Sequence, residues 1–276
     1  MKQVFGAMAL GALVLAGAPA AALAGPAQQA PSIGNFEPKV GQPGKDVVWV
    51  PTPESLVQLM LDIAEVTADD YVIDLGSGDG RTVIAAAKRG ARAHGIEYNG
   101  DMVKLARAAA EREGVADRAT FEEADLFERL DELKKADVIT MFLLTSLNLK
   151  LRPTLLELEP GTRIVSNTFR MADWEPDVEQ RVDEECESWC EALLWIVPAR
   201  IEGTWQMGDG RLTFRQQFQR VSGILGTQVL TDIRLRGRDI SFLIDGVRYT
   251  GRVEGDTMAG TREDGSSWTA RRAGGS

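Results

Sequence analysis

Residues Val72 to Arg81 constrain the fold more than any other stretch of the chain: they read V-I-D-L-G-S-G-D-G-R. An apolar run passes into an acid, then into three glycines at alternate positions, then into a helical pattern. Gly76, Gly78 and Gly80 let the backbone turn tightly and approach a ligand without Cβ clashes. The predicted helix, Arg81 to Arg89, points its first amides back at the loop. Strands alternating with helical patterns continue downstream, which predicts an α/β, Rossmann-like doubly wound sheet. Ligands of such sheets bind outside the carboxyl ends of the strands.

Spacing separates the cofactor classes that use a strand–glycine loop–helix. A phosphate-cradling P-loop needs G-x-x-x-x-G-K-[ST], and no Lys-Ser or Lys-Thr follows these glycines. The dinucleotide fingerprint is G-x-G-x-x-G; here the third glycine comes one residue early. A carboxylate at the strand end, Asp74, repels pyrophosphate but suits a cofactor bearing an ammonium group. S-adenosyl-L-methionine (SAM) is such a cofactor. The next predicted strand, His94-Gly95-Ile96-Glu97, ends in an acid, at about the distance where doubly wound folds bind ribose hydroxyls. Asp125 follows a third short strand, Ala119 to Phe121. A lone acid after a strand is usually a helix cap. Three in register with a glycine loop predict one crevice, in which Asp74, Gly76, Ser77, Gly78, Gly80, Glu97 and Asp125 are the candidate cofactor-binding residues.

This stretch resembles the class I SAM-dependent methyltransferases, over about residues 46 to 198. The resemblance implies that Asp74 and the glycines form the cofactor loop, that Glu97 binds the ribose hydroxyls and that Asp125 accepts from the adenine amino group. V-V-W-V-P-T-P before the first helix, L-G-S-G-D-G-R, and E-P-G-T-R-I-V-S-N-T-F are similar to one narrower family. It comprises the mitochondrial protein-lysine methyltransferases and their bacterial relatives. Trp49 stands where that family usually has Tyr.

Periodicity supplies the remaining elements. Thr52 is expected to cap, and Pro53 to open, a helix through Val66 with Leu56, Leu59, Met60 and Ile63 on one face. Strands are predicted at Tyr71–Leu75, Val138–Leu143, Arg163–Asn167 and Leu193–Val197, the last two as an antiparallel pair at one edge. Helices are predicted at Asp101–Glu113 and Glu128–Lys135, and Leu147–Leu158 is expected to break in two at Pro153. From about Ala199 helical periodicity gives way to short alternating segments divided by turns such as Gly208-Asp209-Gly210. Residues 199–276 therefore read as a small antiparallel all-β, lipocalin-like domain. It serves either as a substrate or partner module or as a cover for one face of the core.

The first 24 residues have a basic Lys2, an apolar stretch and the small-residue site Ala22-Leu23-Ala24, the pattern of a secretory signal peptide. The expected location is exported, periplasmic or secreted; the alternative is a membrane anchor by an uncleaved leader. Pro19 and the many small residues make a poor span, so no stable membrane span is expected after cleavage. Residues 25–45, rich in Pro, Gly, Gln and Ala, read as a flexible linker. The formal net charge of −10 argues against nucleic acid, whose binders present basic surfaces. Cys186 and Cys190 either pair, as an exported chain permits, or remain thiols. Two cysteines and one histidine build no four-ligand zinc site without carboxylates, so no metal is expected.

Methyl transfer from SAM is an in-line displacement in which the protein mainly supplies alignment. A lysine acceptor must first lose a proton from a group of pKa about 10.4, which a dry channel favours. That chemistry requires no histidine base. His94, the single histidine, falls inside a strand as a packing residue, so hydrolase triads are excluded and no catalytic base is assigned. Trp49 either lids the cofactor or packs on the first helix. Thr145 and Asn148 either orient an acceptor or cap a helix. The acceptor is expected to be a protein lysine, with a small-molecule oxygen or nitrogen as alternative. A non-catalytic envelope binding protein on the same fold is the rival of another class.

Overall fold

The computed structural model describes residues 36–183 and 186–274. The leader and residues 25–35 of the linker lie outside them. Among the described residues no helix is long and apolar enough to cross a membrane.

The amino-terminal part is a seven-stranded sheet between two layers of helices. Its strands are β1 (Tyr71–Leu75), β2 (Arg92–Glu97), β3 (Ala119–Glu123), β4 (Val138–Met141), β5 (Arg163–Asn167), β6 (Val178–Arg181) and β7 (Glu191–Ile196), in the order β3-β2-β1-β4-β5-β7-β6. The first five strands run parallel, and β7 runs antiparallel to both β5 and β6. Four of five residues in β1 and all of β4 are buried. Strands covered on both faces require that near-continuous apolar run. Helices α1 (Glu54–Ile63), α2 (Arg81–Lys88) and α3 (Gly100–Arg112) pack on one face through Leu56, Val57, Met60, Val83 and Val103. Helix α4 (Thr145–Leu155) covers the other through Leu147, Leu151 and Leu155.

Several local expectations are corrected. Thr52 does not cap α1: the Pro53 carbonyl accepts the first helical bond, from the Val57 N–H. The Thr52 hydroxyl instead accepts from Asn167 Nδ2 at 3.3 Å. The apolar face of α1 is shifted, with Leu56, Val57, Met60 and Leu61 buried while Leu59 and Ile63 are only half-buried. Pro153 does not split α4. It sits in the last turn, where the missing N–H costs one bond and the helix is about to end. The helix expected at Glu128–Lys135 is a pair of 3₁₀ turns, Leu126–Glu128 and Leu130–Lys135. Strand β6 is an addition: its V-E-Q-R sequence is mostly exposed, as suits an edge, so β7 is internal rather than the edge strand. Residues 36–45 are not an unstructured linker. Gly41 and Trp49 form a hairpin end, with Gly41 N–H donating to Trp49 O and Trp49 N–H to Gln42 O.

The remaining strands, β8 (Gly203–Met207), β9 (Gly210–Gln217), β10 (Arg220–Leu225), β11 (Gln228–Val229), β12 (Thr231–Arg236), β13 (Asp239–Ile244), β14 (Val247–Glu254), β15 (Thr257–Arg262) and β16 (Ser267–Arg272), form one antiparallel sheet. Its end strands β11 and β12 are neighbours in sequence, and Leu230 N–H between them donates to Gly223 O of β10. The sheet thus curls into a nearly closed barrel. Alternating burial, as in β13, fills it with Trp205, Phe214, Phe242 and Trp268. It docks beside the amino ends of the core strands: Ala199 N–H donates to Gly237 O, Arg238 pairs with Glu159, and Phe218 stacks on Trp174 at 5.7 Å.

Candidate active site

The strand order reverses direction between β1 and β4, and such a switch point opens a crevice at their carboxyl ends. A cleft of about 530 Å³ lies there. It is lined by Asp74, Gly76, Ser77, Gly78, Glu97 and Asp125, so six of the seven expected cofactor residues meet at one opening. Gly80 lies one step behind it. A Cβ on Gly80 would meet Ala106 and Phe121 at 2.7 Å, so this glycine serves helix-to-sheet packing.

The three glycines are required for different reasons. All have positive φ, 75°, 53° and 82°, a region that other residues enter at a cost. A Cβ on Gly78 would lie 2.6 Å from Trp49 Nε1. Trp49, carried there by the 41–49 hairpin, therefore lies against the loop. The loop is held from below: Gly76 N–H and Ser77 N–H both donate to Ile96 O, at 2.9 and 3.1 Å. The Ser77 hydroxyl turns toward β2, where only the absence of a side chain on Gly95 makes room (2.5 Å to a built Cβ).

Asp74 is buried, and its cross-strand partner Thr140 donates a 2.6 Å hydrogen bond to its Oδ1. Burial pushes the Asp74 carboxyl up to about 7; the Thr140 bond opposes this, and the nearby Glu97 and Asp79 charges add to it. Glu97 accepts from Gly78 N–H and Asn99 N–H, each at 2.9 Å, which fixes both carboxylate oxygens at the end of β2. Asp125 accepts from Phe127 N–H at 3.0 Å and forms an ion pair with Lys45 of the hairpin. That pairing and the Phe127 bond hold the Asp125 carboxyl below its ordinary range.

The sequence reading missed Asp79 and Arg81. Asp79 is buried and takes a forked ion pair from Arg81, 2.6 Å at its shortest. Arg81 Nη1 also donates to Thr52 O at 2.8 Å. The pair ties the glycine loop to the segment entering α1, and the D-G-R triplet was its visible signal. Tyr98, Met102, Phe142, Leu143, Leu144, Phe169 and Trp189 complete much of the wall.

Two acceptor candidates do not reach the cleft. Thr145 is exposed and outside it. Asn148 is fully buried, and its Nδ2 donates to Phe169 O at 2.9 Å, so it holds the chain after β5. His94 is remote, bonded to Thr120 Oγ1 at 2.8 Å, with burial pressing its pKa down. Cys186 and Cys190 form a disulfide. A turn rather than a helix brings them together, in the connection that leads from β6 to β7.

The site suits SAM on its own geometry. Positive-φ glycines clear a backbone approach, and Asp74 is a buried carboxyl without a cationic partner among the described residues. A ligand cation would stabilise its charged form. Among the described residues, none from the barrel lines the cleft.

The ANTKMT methyltransferase domain model matches residues 74–178. A protein-lysine N-methyltransferase of Saccharolobus islandicus is 45% identical over 141 residues, which are 50% of this chain and 86% of that protein. The adenine nucleotide translocase lysine N-methyltransferase of Mus musculus is 38% identical over 38% of this chain and 46% of its own length, so the chain spans about half of that relative. Among solved structures, an RNA methyltransferase of Salinibacter ruber in complex with S-adenosyl-L-homocysteine is 45% identical, with a TM-score of 0.51 over 55% of this chain and 96% of that one. The fold, the glycine loop and these matches agree: this chain belongs to the ANTKMT-type family of class I, SAM-dependent methyltransferases.

Proposed function

We propose that the chain is a SAM-dependent protein-lysine N-methyltransferase acting outside the cytosol. One observation carries the reading: the acid-lined glycine-loop cleft continues without a break into an aromatic and aliphatic rim made by Phe142, Leu144, Phe169 and Trp189. When bound, SAM supplies a methyl group already activated by its sulfonium. Asp74 would hold the cationic methionine end, and by the family resemblance Glu97 would take the ribose hydroxyls and Asp125 the adenine amino group. Gly76 and Gly78 clear the backbone approach, and Trp49 excludes water from above. The apolar rim desolvates an incoming amine and favours its neutral, nucleophilic form. No side chain is assigned as a base.

The charge pattern supports a lysine over a nucleic acid. Of the seven charged residues lining the cleft, five are acids, and the two cations, Lys45 and Arg81, already pair with Asp125 and Asp79. Phosphate tracks need free cations. Export draws support from the leader pattern and from the disulfide, which persists in oxidising compartments. Labelled methyl transfer from SAM into a lysate, divided into protein, RNA and small-molecule fractions, tests the reading. Label in protein, recovered as methyl-lysine after hydrolysis, is the expected result. Label confined to RNA or to small molecules would overturn the lysine assignment.

A further inference from the structure

The rim holds a side chain that neither composition nor motif singles out. Trp189 is 44% exposed although it is among the largest apolar residues, and it lines the cleft mouth. Its ring meets Phe142 edge to face at 6.1 Å, and Phe142 stacks on Phe169 at 5.9 Å. The three rings come from three segments of the chain. Phe142 follows β4 and Phe169 follows β5. Trp189 precedes β7, whose antiparallel direction returns its first residues to the same carboxyl edge; Asn167 of β5 faces Ala192 of β7. Phe169 is itself fixed, because its carbonyl accepts from both Asn148 Nδ2 and Ser166 Oγ.

Trp189 has a backbone φ of +57°, a conformation rarely adopted by a bulky residue. It is the residue just before Cys190, inside the turn closed by the Cys186–Cys190 bond. Cys190 is buried, with its backbone C=O accepting from Val182 N–H, so the disulfide anchors the turn to the sheet. Without that closure nothing else in the described contacts of Trp189, apart from the Phe142 edge, holds the indole at the mouth.

We propose that Phe142, Phe169 and Trp189 form the subsite for the acceptor lysine side chain, and that the Cys186–Cys190 disulfide positions Trp189 in it. The proposal rests on the lysine reading above. The occupant is argued from continuity with the cofactor cleft and from ring chemistry. Aromatic faces pack the four-methylene stem of a lysine and attract positive charge. Charge grows on the amine nitrogen as the new N–C bond forms, so the rings favour the transition state over the neutral amine. Trp189 is a specificity residue, and the two cysteines are positioning residues.

The test uses the full chain saturated with S-adenosyl-L-homocysteine. Nα-acetyl-trimethyl-lysine amide, which mimics the methylated product, is titrated by calorimetry. Trp189→Ala is expected to weaken the probe about tenfold, between the exposed and the desolvated scale of a cation–π contact as suits a half-exposed ring, and Trp189→Phe to recover most of the loss. Affinity for S-adenosyl-L-homocysteine is expected to stay within about twofold of the wild type. The Cys186→Ser/Cys190→Ser variant is expected to bind the probe as weakly as Trp189→Ala. So is wild type treated with dithiothreitol, which becomes a cyclic disulfide as the protein gains two thiols. In turnover, KM for the acceptor rises with the lost contact to the lysine stem, and kcat falls with the lost transition-state contact. Wild-type binding with no change in Trp189→Ala would overturn this proposal alone. Equal binding by the cysteine variant would overturn the positioning role. No binding by wild type, with tight binding of an RNA oligonucleotide instead, would overturn the lysine reading as well.

Discussion

Asp74 offers the sharpest perturbation, because pH alone titrates it. Its carboxyl is pushed up to about 7 by burial beside Glu97 and Asp79, against the pull of the Thr140 hydrogen bond. The folded protein therefore holds a proton that the unfolded chain gives up near pH 4. Between those values the folded state binds more protons, so stability without ligand falls as pH rises through about 7, by at most about 4 kcal/mol. A cationic cofactor reverses the preference by stabilising the carboxylate, and binding must then expel the proton. At pH 5.5 about 97% of the unliganded protein is protonated at this site, and at pH 7.0 about half is. Affinity for SAM is expected to be about 15-fold tighter at pH 7.0 than at pH 5.5, with close to one proton released at the lower pH. The ligand's own amine stays charged across this window, since α-amino groups titrate near pH 8. Calorimetry in two buffers of different ionisation enthalpy reads both quantities. Asp74→Asn, which keeps the shape and loses the titration, is expected to bind more weakly and without the pH slope. The slope is expected for S-adenosyl-L-homocysteine too, which keeps the ammonium and loses the sulfonium. A flat wild-type affinity with buffer-independent heat at pH 5.5 would refute the assignment of Asp74 to the cationic end of the ligand.

Three other outcomes follow from named contacts. Glu97→Ala is expected to weaken SAM by about 1–3 kcal/mol; an analogue lacking both ribose hydroxyls should lose a similar amount, and calorimetry on the combination should show the losses overlapping rather than adding. Gly78→Ala is expected to weaken SAM strongly, because its Cβ would press on Trp49 at a positive φ; in a Trp49→Ala background the further loss should be smaller, and equal losses in both backgrounds would disprove the contact. Arg81→Ala leaves the buried Asp79 carboxylate without its partner and is expected to cost roughly 3 kcal/mol in urea unfolding.

What could be read from the chain was what is decided locally. The glycine loop is legible because positive φ at Gly76, Gly78 and Gly80 leaves few alternatives to glycine, and strand β1 because a doubly covered strand is a near-continuous apolar run, broken here by Asp74. The three acids could be placed in one crevice because each sits at a strand end and the strands share direction. The misses are decided by distant partners. Thr52 looks like a cap, yet Asn167, far along the chain, claims its hydroxyl. Asn148 looks like an acceptor contact until Phe169 is seen to need its amide. The hairpin of residues 41–49 has the composition of a linker, and only its backbone pairing and the Lys45–Asp125 contact give it a place. Strand β6 has no apolar face to announce it.

The two halves of the molecule divide the work in a way that the contacts explain. The barrel closes its own core around Trp205, Phe242 and Trp268 and borrows nothing from the sheet of the methyltransferase part. Its attachments, Arg238 to Glu159, Arg200 to Glu157 and Phe218 on Trp174, all lie away from the carboxyl edge that carries the cleft. A module placed there cannot touch the transferring group, but neither can it obstruct the mouth. The mouth is instead shaped by the loops after β4 and β5 and by the disulfide-closed turn before β7. These same loops are where a parallel sheet tolerates change without loss of its core. On the proposal above, cofactor binding and acceptor choice fall to different segments of one edge, the former to backbone that glycine satisfies and the latter to three rings, of which Trp189 depends on the disulfide. Substitutions in the first set should abolish both activities together, whereas those in the second should redirect the acceptor and leave the cofactor in place.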